Sequence, residues 1–161
     1  MGKIEKEDNE NAEESKIDES QRFSYEEQLE HVSVIAKPIA TKKVAKKIYK
    51  LIKKVAEHKN EKILMRQGLK SVQSAIRKGE TGLLFIAGNV TPIDVICHIP
   101  GVCEEKNIDY IFTPSREDLG LAMGTKRSCL MILIKDNPDY KELYDDVQAR
   151  MKAITSSTFF N

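Results

Sequence analysis

The sequence predicts an α/β protein, a three-layer α/β/α sandwich built around a small mixed central sheet. Residues Leu83–Ala87 form a continuous apolar run of strand length, which is typical of a strand buried on both faces of a sheet. Two further apolar runs, at 109–113 and 129–134, have the same character. Segments with helical spacing lie between these runs, and strands that alternate with helices favour helices on both faces of one sheet.

The first element expected in the folded part is an amphipathic helix beginning at Thr41. Apolar residues recur at spacings of three and four from Val44 to Val55, so they lie on one face of a helix. Lysines repeat on the opposite side. The pattern therefore predicts one core face and one lysine-rich face, the latter carrying Lys43, Lys47, Lys50 and Lys54.

The segments before the central strand are predicted to be a short extended piece at 62–66 and then a second helix. Gly68 introduces this helix, which runs through Lys78, and Gly79 is expected to end it because glycine readily adopts the left-handed conformation found after helices. The central strand follows at Leu83–Ala87. The residues of the second helix expected to face the core are Leu69, Val72, Ala75 and Ile76.

Capping patterns predict the two helices after the central strand. Thr91 is expected to be an N-cap with Pro92 as the first helical residue. Pro100 and Gly101 are expected to separate that helix from a short one at 102–106.

The last third of the chain repeats this logic. Ser115 is expected to cap a helix at 118–123, and a basic loop follows at 124–128. Asn137 and Pro138 are expected to begin the last helix. Its apolar residues are Leu143, Val147 and Met151.

A length of 161 residues fits one folded domain with tails. We expect a disordered acidic tail at 1–21, because a few isolated apolar residues cannot bury enough surface to offset chain entropy. Residues 22–36 are either a docking arm or a fraying linker. The folded domain is expected at 37–154, followed by a C-terminal tail at 155–161.

The net charge of +1 conceals a strong partition along the chain. Residues 1–30 carry 4 basic and 11 acidic side chains, whereas residues 37–79 carry 14 and 2. Attraction to phosphates depends on local charge more than on the whole-molecule sum. The middle of the chain therefore suits an anionic polymer, although a lysine-rich helix face is also a common solvated surface.

Several classes of protein lack support in the sequence. No apolar run reaches the roughly 20 residues that span a bilayer, and the N-terminus lacks the apolar block of a secretory signal. The three cysteines form no CxxC pair, which favours reduced thiols in an intracellular protein. Cys97, His98 and Cys103 supply no fourth ligand for zinc. No nucleophile elbow, Walker A or dinucleotide motif occurs, so we expect no catalysis, metal or cofactor.

Five blocks of sequence, in order, resemble the kink-turn RNA-binding family of the ribosomal L-seven-Ae kind. The first, at 66–79, reads RQGLKSVQSAIRKG and resembles the first RNA-contacting helix of that family. Within the family, the lysine helix and the KGETG segment at 78–82 look most like the branch found in box H/ACA ribonucleoproteins. The resemblance spans about 37–150 and implies an α/β/α sandwich. The other blocks lie at 86–95, 98–107, 110–116 and 119–127.

The resemblance also implies a set of RNA-contacting residues from three regions. These are the start of the second helix, the loop after the central strand, and the loop before the last strand. Carried over by position, the contacts are Gly68, Lys70, Ser71, Ser74, Asn89, Thr91, Val95, Arg116, Thr125, Lys126 and Arg127.

Three departures from the family pattern limit that set. Kink-turn specialists typically have Asn, Glu and Lys where this chain has Lys70, Ser71 and Ser74. The missing carboxylate normally accepts hydrogen bonds from guanine in sheared G·A pairs, and a serine hydroxyl is shorter and neutral. Asn89 replaces a more frequent Asp, and Ser128 replaces a frequent Pro. We therefore expect phosphate and shape contacts to dominate over base reading.

The resemblance implies a non-catalytic subunit of particles that guide pseudouridylation of ribosomal and spliceosomal RNA. Its implied partners are the H/ACA guide RNA, a small Nop-ten-type protein and a separate pseudouridine synthase subunit, with no membrane. The implied location is the nucleus and nucleolus, with Cajal bodies and telomerase RNA as further associations. A kink-turn protein of box C/D, spliceosomal or ribosomal particles is the alternative with the same fold. A nucleotide-dependent enzyme is the alternative from another class.

Overall fold

The computed structural model describes residues 24–30, 32, 36–89 and 97–160, and the side chains of these residues up to 158. The chain divides into two compact units, Met1–Glu30 and His31–Asn161. In the first unit, Tyr25–Glu30 forms helix α1. Ser24 and Glu27 cap it reciprocally: the Glu27 N–H donates to Ser24 Oγ at 3.3 Å, and the Ser24 N–H donates to Glu27 Oε2 at 2.9 Å.

The described part of the second unit contains a four-stranded mixed sheet with the order β1-β4-β2-β3. Strands β2 and β3 are parallel, and β4 is antiparallel to both of its neighbours, β1 and β2. The segment at 38–40 lies along the outer edge of β3, where the Ala40 N–H donates to the Phe112 carbonyl at 2.8 Å. The strands are Met65–Gln67 (β1), Leu83–Ala87 (β2), Asp109–Thr113 (β3) and Met131–Ile134 (β4).

Helices cover the sheet in two groups. Helix α2 packs against both α6 and α7 on one face, and α4 and α5 line a common groove on the other. Every residue of β2 and β4 is buried, as expected for strands covered on both faces. The helices are Lys42–Ala56 (α2), Glu61–Leu64 (α3), Leu69–Arg77 (α4), Ile99–Glu105 (α5), Arg116–Ala122 (α6) and Lys141–Phe160 (α7), with a 3-10 turn at Pro138–Tyr140.

The sheet has two distinct ends, which we call apical and basal. The strand register places the last residues of β1, β2 and β3 beside the first residue of β4 at the apical end. Leu83, Asp109 and Ile134 lie together at the basal end. Loops that leave β1, β2 and β3, and the loop that enters β4, therefore meet at the apical end.

The predicted sandwich is confirmed, and its central strand has the expected bounds. Thr41 caps α2 by accepting a hydrogen bond from the Val44 N–H at 3.4 Å. Gly79 ends α4 with φ +87°. The expected helix that begins at Pro92 lies outside the described residues up to position 96.

Some element boundaries were predicted wrongly. The extended piece expected at 62–66 is a strand only from Met65, because the Leu64 N–H bonds to the Asn60 carbonyl at 3.1 Å and closes a helical turn. Pro100 does not precede the short helix but lies in its first turn, where an N–H has no intrahelical acceptor and proline is tolerated.

The end of the chain also differs from the expected pattern. The last strand begins at Met131, since the Cys129 N–H donates to the Arg116 carbonyl at 3.0 Å and leaves the ladder. Leu143 is only half-buried, and the core stripe of α7 is Tyr144, Val147 and Met151. Helix α7 continues to Phe160, through the expected tail, because neither glycine nor proline follows Pro138.

In the described residues no helix is both long and apolar enough to cross a membrane.

Candidate nucleic-acid interface

The apical end collects the described residues that the family resemblance singled out, apart from Ser74, which lies one turn further along α4. Gly68 follows β1, Asn89 follows β2, Arg116 follows β3, and the loop at 125–127 precedes β4. These segments lie far apart in sequence and meet because the three parallel strands end together. Thr91 and Val95 lie outside the described residues.

Gly68 begins α4 in a conformation that favours glycine, with φ +84° and ψ 159°. Its N–H donates to the Met131 carbonyl at 3.0 Å, which holds the helix start against β4. The first N–H groups of α4 have no intrahelical acceptor, and such groups attract phosphate. Lys70 and Ser71 are exposed in this first turn. The helix start thus combines backbone donors with a cation.

A cavity of about 360 Å³ joins the start of α4 to the loop before β4. The cysteine in its wall, Cys129, is buried, and burial raises the pKa of its thiol against the opposing effect of hydrogen bonds with Gly68 and Met131. Several residues that line this cavity were not predicted from the sequence, because they carry no charge and belong to no recognisable motif. The full lining is Gln67, Gly68, Met123, Thr125, Arg127, Ser128, Cys129 and Leu130.

The basic loop is held by contacts with the end of α6. Thr125 Oγ1 accepts a hydrogen bond from the Arg127 N–H at 3.0 Å, and the Thr125 N–H donates to the Gly120 carbonyl at 3.1 Å. A Cβ on Gly120 would lie 2.0 Å from the Arg127 carbonyl oxygen, so only glycine permits this approach. Lys126 and Arg127 are exposed on the loop. Two cations are therefore presented to solvent by a fixed backbone.

Asn89 links the exit of β2 to the start of α6. Its Oδ1 accepts a hydrogen bond from the Arg116 N–H at 2.9 Å, and its Nδ2 donates to Glu117 Oε2 at 3.1 Å. Glu117 also accepts from Ser115 Oγ at 2.8 Å and from Arg116 Nε at 3.3 Å. Burial opposes the charged form of Glu117, but these hydrogen bonds outweigh it and lower its pKa.

The Asn89 cluster engages two residues of the expected RNA-binding set within the protein. Both polar groups of the Asn89 side chain are engaged within the protein, so this residue is placed to position the backbone. The guanidinium of Arg116 is half-exposed, but it forms an ion pair with the carboxylate of Glu117. The least encumbered basic groups at the apical end are Lys70, Lys126 and Arg127, for which the described residues show no side-chain ion pair.

Ser71 and Ser74 lie apart from the loop before β4. They line a separate cleft of about 100 Å³ on the flank of α4, together with Arg66, Lys78 and Glu80. Glu80 is bound by Arg66, with an Nη2–Oε1 distance of 3.2 Å, and by Lys135. The sequence analysis did not predict this cluster. Arg66 and Lys135 are 14 and 55 positions from Glu80, and no helix or strand periodicity relates residues so far apart.

The cysteine and histidine group considered for zinc does not converge. Cys97 is exposed, whereas Cys103 is buried, and burial together with Glu104 raises its pKa to about 12. His98 lies beside Gln73, with an Nε2–Nε2 distance of 2.6 Å. Among the described residues, no group of three or more His, Cys, Asp or Glu side chains is placed to hold a metal ion.

Comparison with protein families decides the class of this chain. Residues 46–144 match the model described as the ribosomal protein L7Ae/L30e/S12e/Gadd45 family. The chain belongs to this family. The match covers all four strands and, in whole or in part, all six helices from α2 to α7. It confirms the resemblance carried by the five sequence blocks.

Two named relatives align over most of this chain. The H/ACA ribonucleoprotein complex subunit 2 of Drosophila melanogaster is 49% identical over 159 residues, covering 96% of this chain and 98% of the relative. A putative H/ACA ribonucleoprotein complex subunit 2-like protein of Caenorhabditis elegans is 48% identical over 136 residues, covering 84% and 82%.

A solved structure supports the fold. The Giardia lamblia 15.5kD RNA binding protein superposes with a TM-score of 0.69 at 21% identity, over 76% of this chain and 99% of that protein.

Proposed function

We propose that this chain is a non-catalytic RNA-binding subunit of a box H/ACA ribonucleoprotein and that its apical end contacts the guide RNA. The observation that carries the proposal is the convergence of Gly68, Arg116 and the loop at 125–127 at one end of the sheet. Relatives named H/ACA ribonucleoprotein complex subunit 2 align over nearly the whole chain. The proposed activity of the particle is guided pseudouridylation, with isomerisation carried out by a separate subunit.

The chemistry of the apical end favours contacts with the RNA backbone. Lysine and arginine groups and free helix N–H groups bind phosphates, and such contacts position an RNA without reading its sequence. Asn89 is engaged internally, and Ser71 and Ser74 offer only short hydroxyls. We therefore assign phosphate binding to Lys70, Lys126 and Arg127, with Arg116 and Thr125 in supporting positions. Thr91 and Val95 remain predicted contacts.

The proposal includes protein partners and a location. Selectivity that the RNA face lacks would come from neighbouring subunits, for which the Nop-ten-type protein and the pseudouridine synthase are the proposed candidates. The proposed location is the nucleolus, with Cajal bodies and telomerase RNA as further associations. Co-purification of the chain followed by identification of the bound proteins and RNA tests this part of the proposal.

Removal of charge from the loop before β4 tests the proposed RNA face. The double variant Lys126→Gln/Arg127→Gln should weaken binding to an H/ACA stem and lower the magnitude of the log-log salt slope by about 1.4–1.8, at roughly 0.7–0.9 per phosphate. Fluorescence anisotropy across a series of KCl concentrations measures both quantities. The matched control is Lys106→Gln/Lys152→Gln, which removes two exposed charges elsewhere. Equal effects of the two double variants would contradict an RNA face at the apical end.

A further inference from the structure

Lysine dominates the exposed side of helix α2. The helix contains seven lysines and no acidic residue. Lys47 is half-buried and binds Asp146, with an Nζ–Oδ2 distance of 2.5 Å. The core face of the helix is fully buried, with Ile48, Leu51 and Ile52 at 0% exposure. Every fully exposed residue of α2 is a lysine: Lys42, Lys43, Lys46, Lys50, Lys53 and Lys54.

These lysines have different electrostatic surroundings. Lys50 and Lys54 line a cavity of about 510 Å³ together with Asp139, Glu142 and Asp146, so carboxylates lie close to their charges. Lys42, Lys46 and Lys53 fall within about 40° of one another around the helix axis, whereas Lys47 lies about 140° from Lys42. We call Lys42, Lys46 and Lys53 the lysine strip. In the described part of the chain, none of the three forms an ion pair.

The lysine strip leads away from the candidate interface. The segment at 38–40 runs parallel to β3, since the Phe112 N–H donates to the Pro38 carbonyl and Ile39 pairs with Phe112. It therefore reaches the apical end just before α2 begins. The far end of α2 is basal, where His58 Nε2 lies 2.6 Å from Asp139 Oδ2. From Lys42 to Lys53 the strip extends about 17 Å along the helix.

We propose that the lysine strip binds the phosphate backbone of an RNA stem that continues past the apical end along α2. This inference rests on the proposed function for the placement of the RNA at the apical end. It adds a second contact surface that lies outside the residues implied by the family resemblance. Lysine ammonium groups act as point charges for phosphates, so contacts of this kind would be independent of sequence.

An RNA backbone fits the lysine strip better than an acidic protein does. Protein interfaces depend on buried aromatic or apolar anchors, and the exposed residues of α2 include none, since Tyr49, the one aromatic residue of the helix, is half-buried beside the strip. The large exposed apolar residues among those described are Leu29, Ile63 and Leu121, all outside α2. A linear polyanion, by contrast, presents charge along the whole of a surface about 17 Å long.

The test compares two RNAs that differ only in stem length, of about 6 and about 16 base pairs, the latter being the span of a double-stranded RNA-binding domain. The variant Lys42→Gln/Lys46→Gln/Lys53→Gln should bind the long stem at least about tenfold more weakly at moderate salt, with a slope reduced by about 2–3. Binding of the short stem should change less than about twofold. A thermal melt checks that the variant is folded, which exposed substitutions should permit.

The matched control is Lys59→Gln/Lys106→Gln/Lys152→Gln, which removes the same charge from other exposed positions. Equal weakening by the two triple variants, or equal weakening of both stems by the strip variant, would overturn the proposal. Strip-dependent binding of a polyglutamate peptide with no effect on RNA would overturn it in favour of an acidic protein. Failure of the proposed function is a separate result, because it would appear in Lys126→Gln/Arg127→Gln on the short stem.

Discussion

The Asn89 side chain accepts a hydrogen bond from the backbone N–H of Arg116 at 2.9 Å, across 27 positions of sequence. This contact joins the end of β2 to the first residue of α6. It therefore fixes the position of the loop after β2 relative to the loop after β3. The same side chain donates to Glu117 Oε2 at 3.1 Å. An amide can satisfy both partners because it carries a donor and an acceptor.

The first prediction follows from that pair of contacts. Asn89→Asp keeps the acceptor for the Arg116 N–H, but it replaces the donor facing Glu117 with a second carboxylate. We expect a loss of about 1 kcal/mol in the free energy of unfolding at pH 7, shrinking as pH falls below about 4, because protonation of either carboxyl relieves the repulsion. Urea unfolding at pH 7 and at a pH below about 4 measures the free energy of unfolding of the variant and of the parent.

A second substitution controls the Asn89 prediction. Asn89→Asp/Glu117→Gln restores a donor opposite the new carboxylate and should recover most of the lost stability at pH 7. If the double variant is no more stable than Asn89→Asp alone, the contact between positions 89 and 117 does not explain the loss.

The second prediction concerns the close approach of Gly120 to the loop before β4. Gly120→Ala places a methyl group against the Arg127 carbonyl, so the loop must shift. We expect a loss of about 1–3 kcal/mol, as for other overpacked sites, and weaker RNA binding by the folded protein. Gly101→Ala is the matched control, because its Cβ meets nothing within 4 Å, and alanine in a helix should stabilise by about 0.5–1 kcal/mol. Similar melting temperatures for the two variants would refute this packing argument.

The third prediction is a pH dependence of stability that arises from Glu80. A hydrogen bond from Lys135 lowers the pKa of Glu80, burial opposes this, and Arg66 lowers it further. A depressed carboxyl pKa stabilises the folded state above the unfolded pKa of about 4.3, and that contribution is lost as pH falls through the folded value.

Replacement of Glu80 by glutamine tests the pH dependence. Glu80→Gln should cost about 1 kcal/mol at pH 7 and progressively less below about pH 4, as measured by urea unfolding across the pH range. Glu105→Gln, at an exposed helix position, is the matched control for the loss of one carboxylate. A cost for Glu80→Gln that is the same at pH 3 and pH 7 would rule out an ionic origin.

The fourth prediction concerns base reading by α4. Ser71 and Ser74 are exposed one turn apart on the same flank. Ser71→Glu/Ser74→Lys supplies an acceptor for guanine and a cation without changing the net charge. The double variant should prefer a kink-turn over a plain stem by about 1–3 kcal/mol more than the parent does, by analogy with bidentate base contacts. Competition between the two RNAs at one salt concentration measures this, and unchanged preference would show that this flank does not read RNA.

Local physical chemistry determined much of this protein from the sequence alone. The apolar run Leu83–Ala87 has no polar side to face solvent, which favours a strand covered on both faces of the sheet. The side chains of Thr41 and Ser115 accept hydrogen bonds from N–H groups only three residues away. The predictions that Gly68 begins α4 and that Gly79 ends it are confirmed. Both glycines adopt a positive φ that other residues avoid. The lysine-rich side of α2 was predicted from helical periodicity alone, but the half-buried ion pair of Lys47 with Asp146 depends on the packing of α7.

Tertiary structure alone decided the rest, because the interactions involved join residues that no local pattern relates. The sheet order brings Glu80 to Lys135 across 55 positions, and it brings Gly68 to the loop before β4. Asn89 becomes a positioning residue only because β2 and β3 end side by side. Strand β1 is three residues long and is held by its pairing with β4, so its bounds follow from the partner strand rather than from its own sequence.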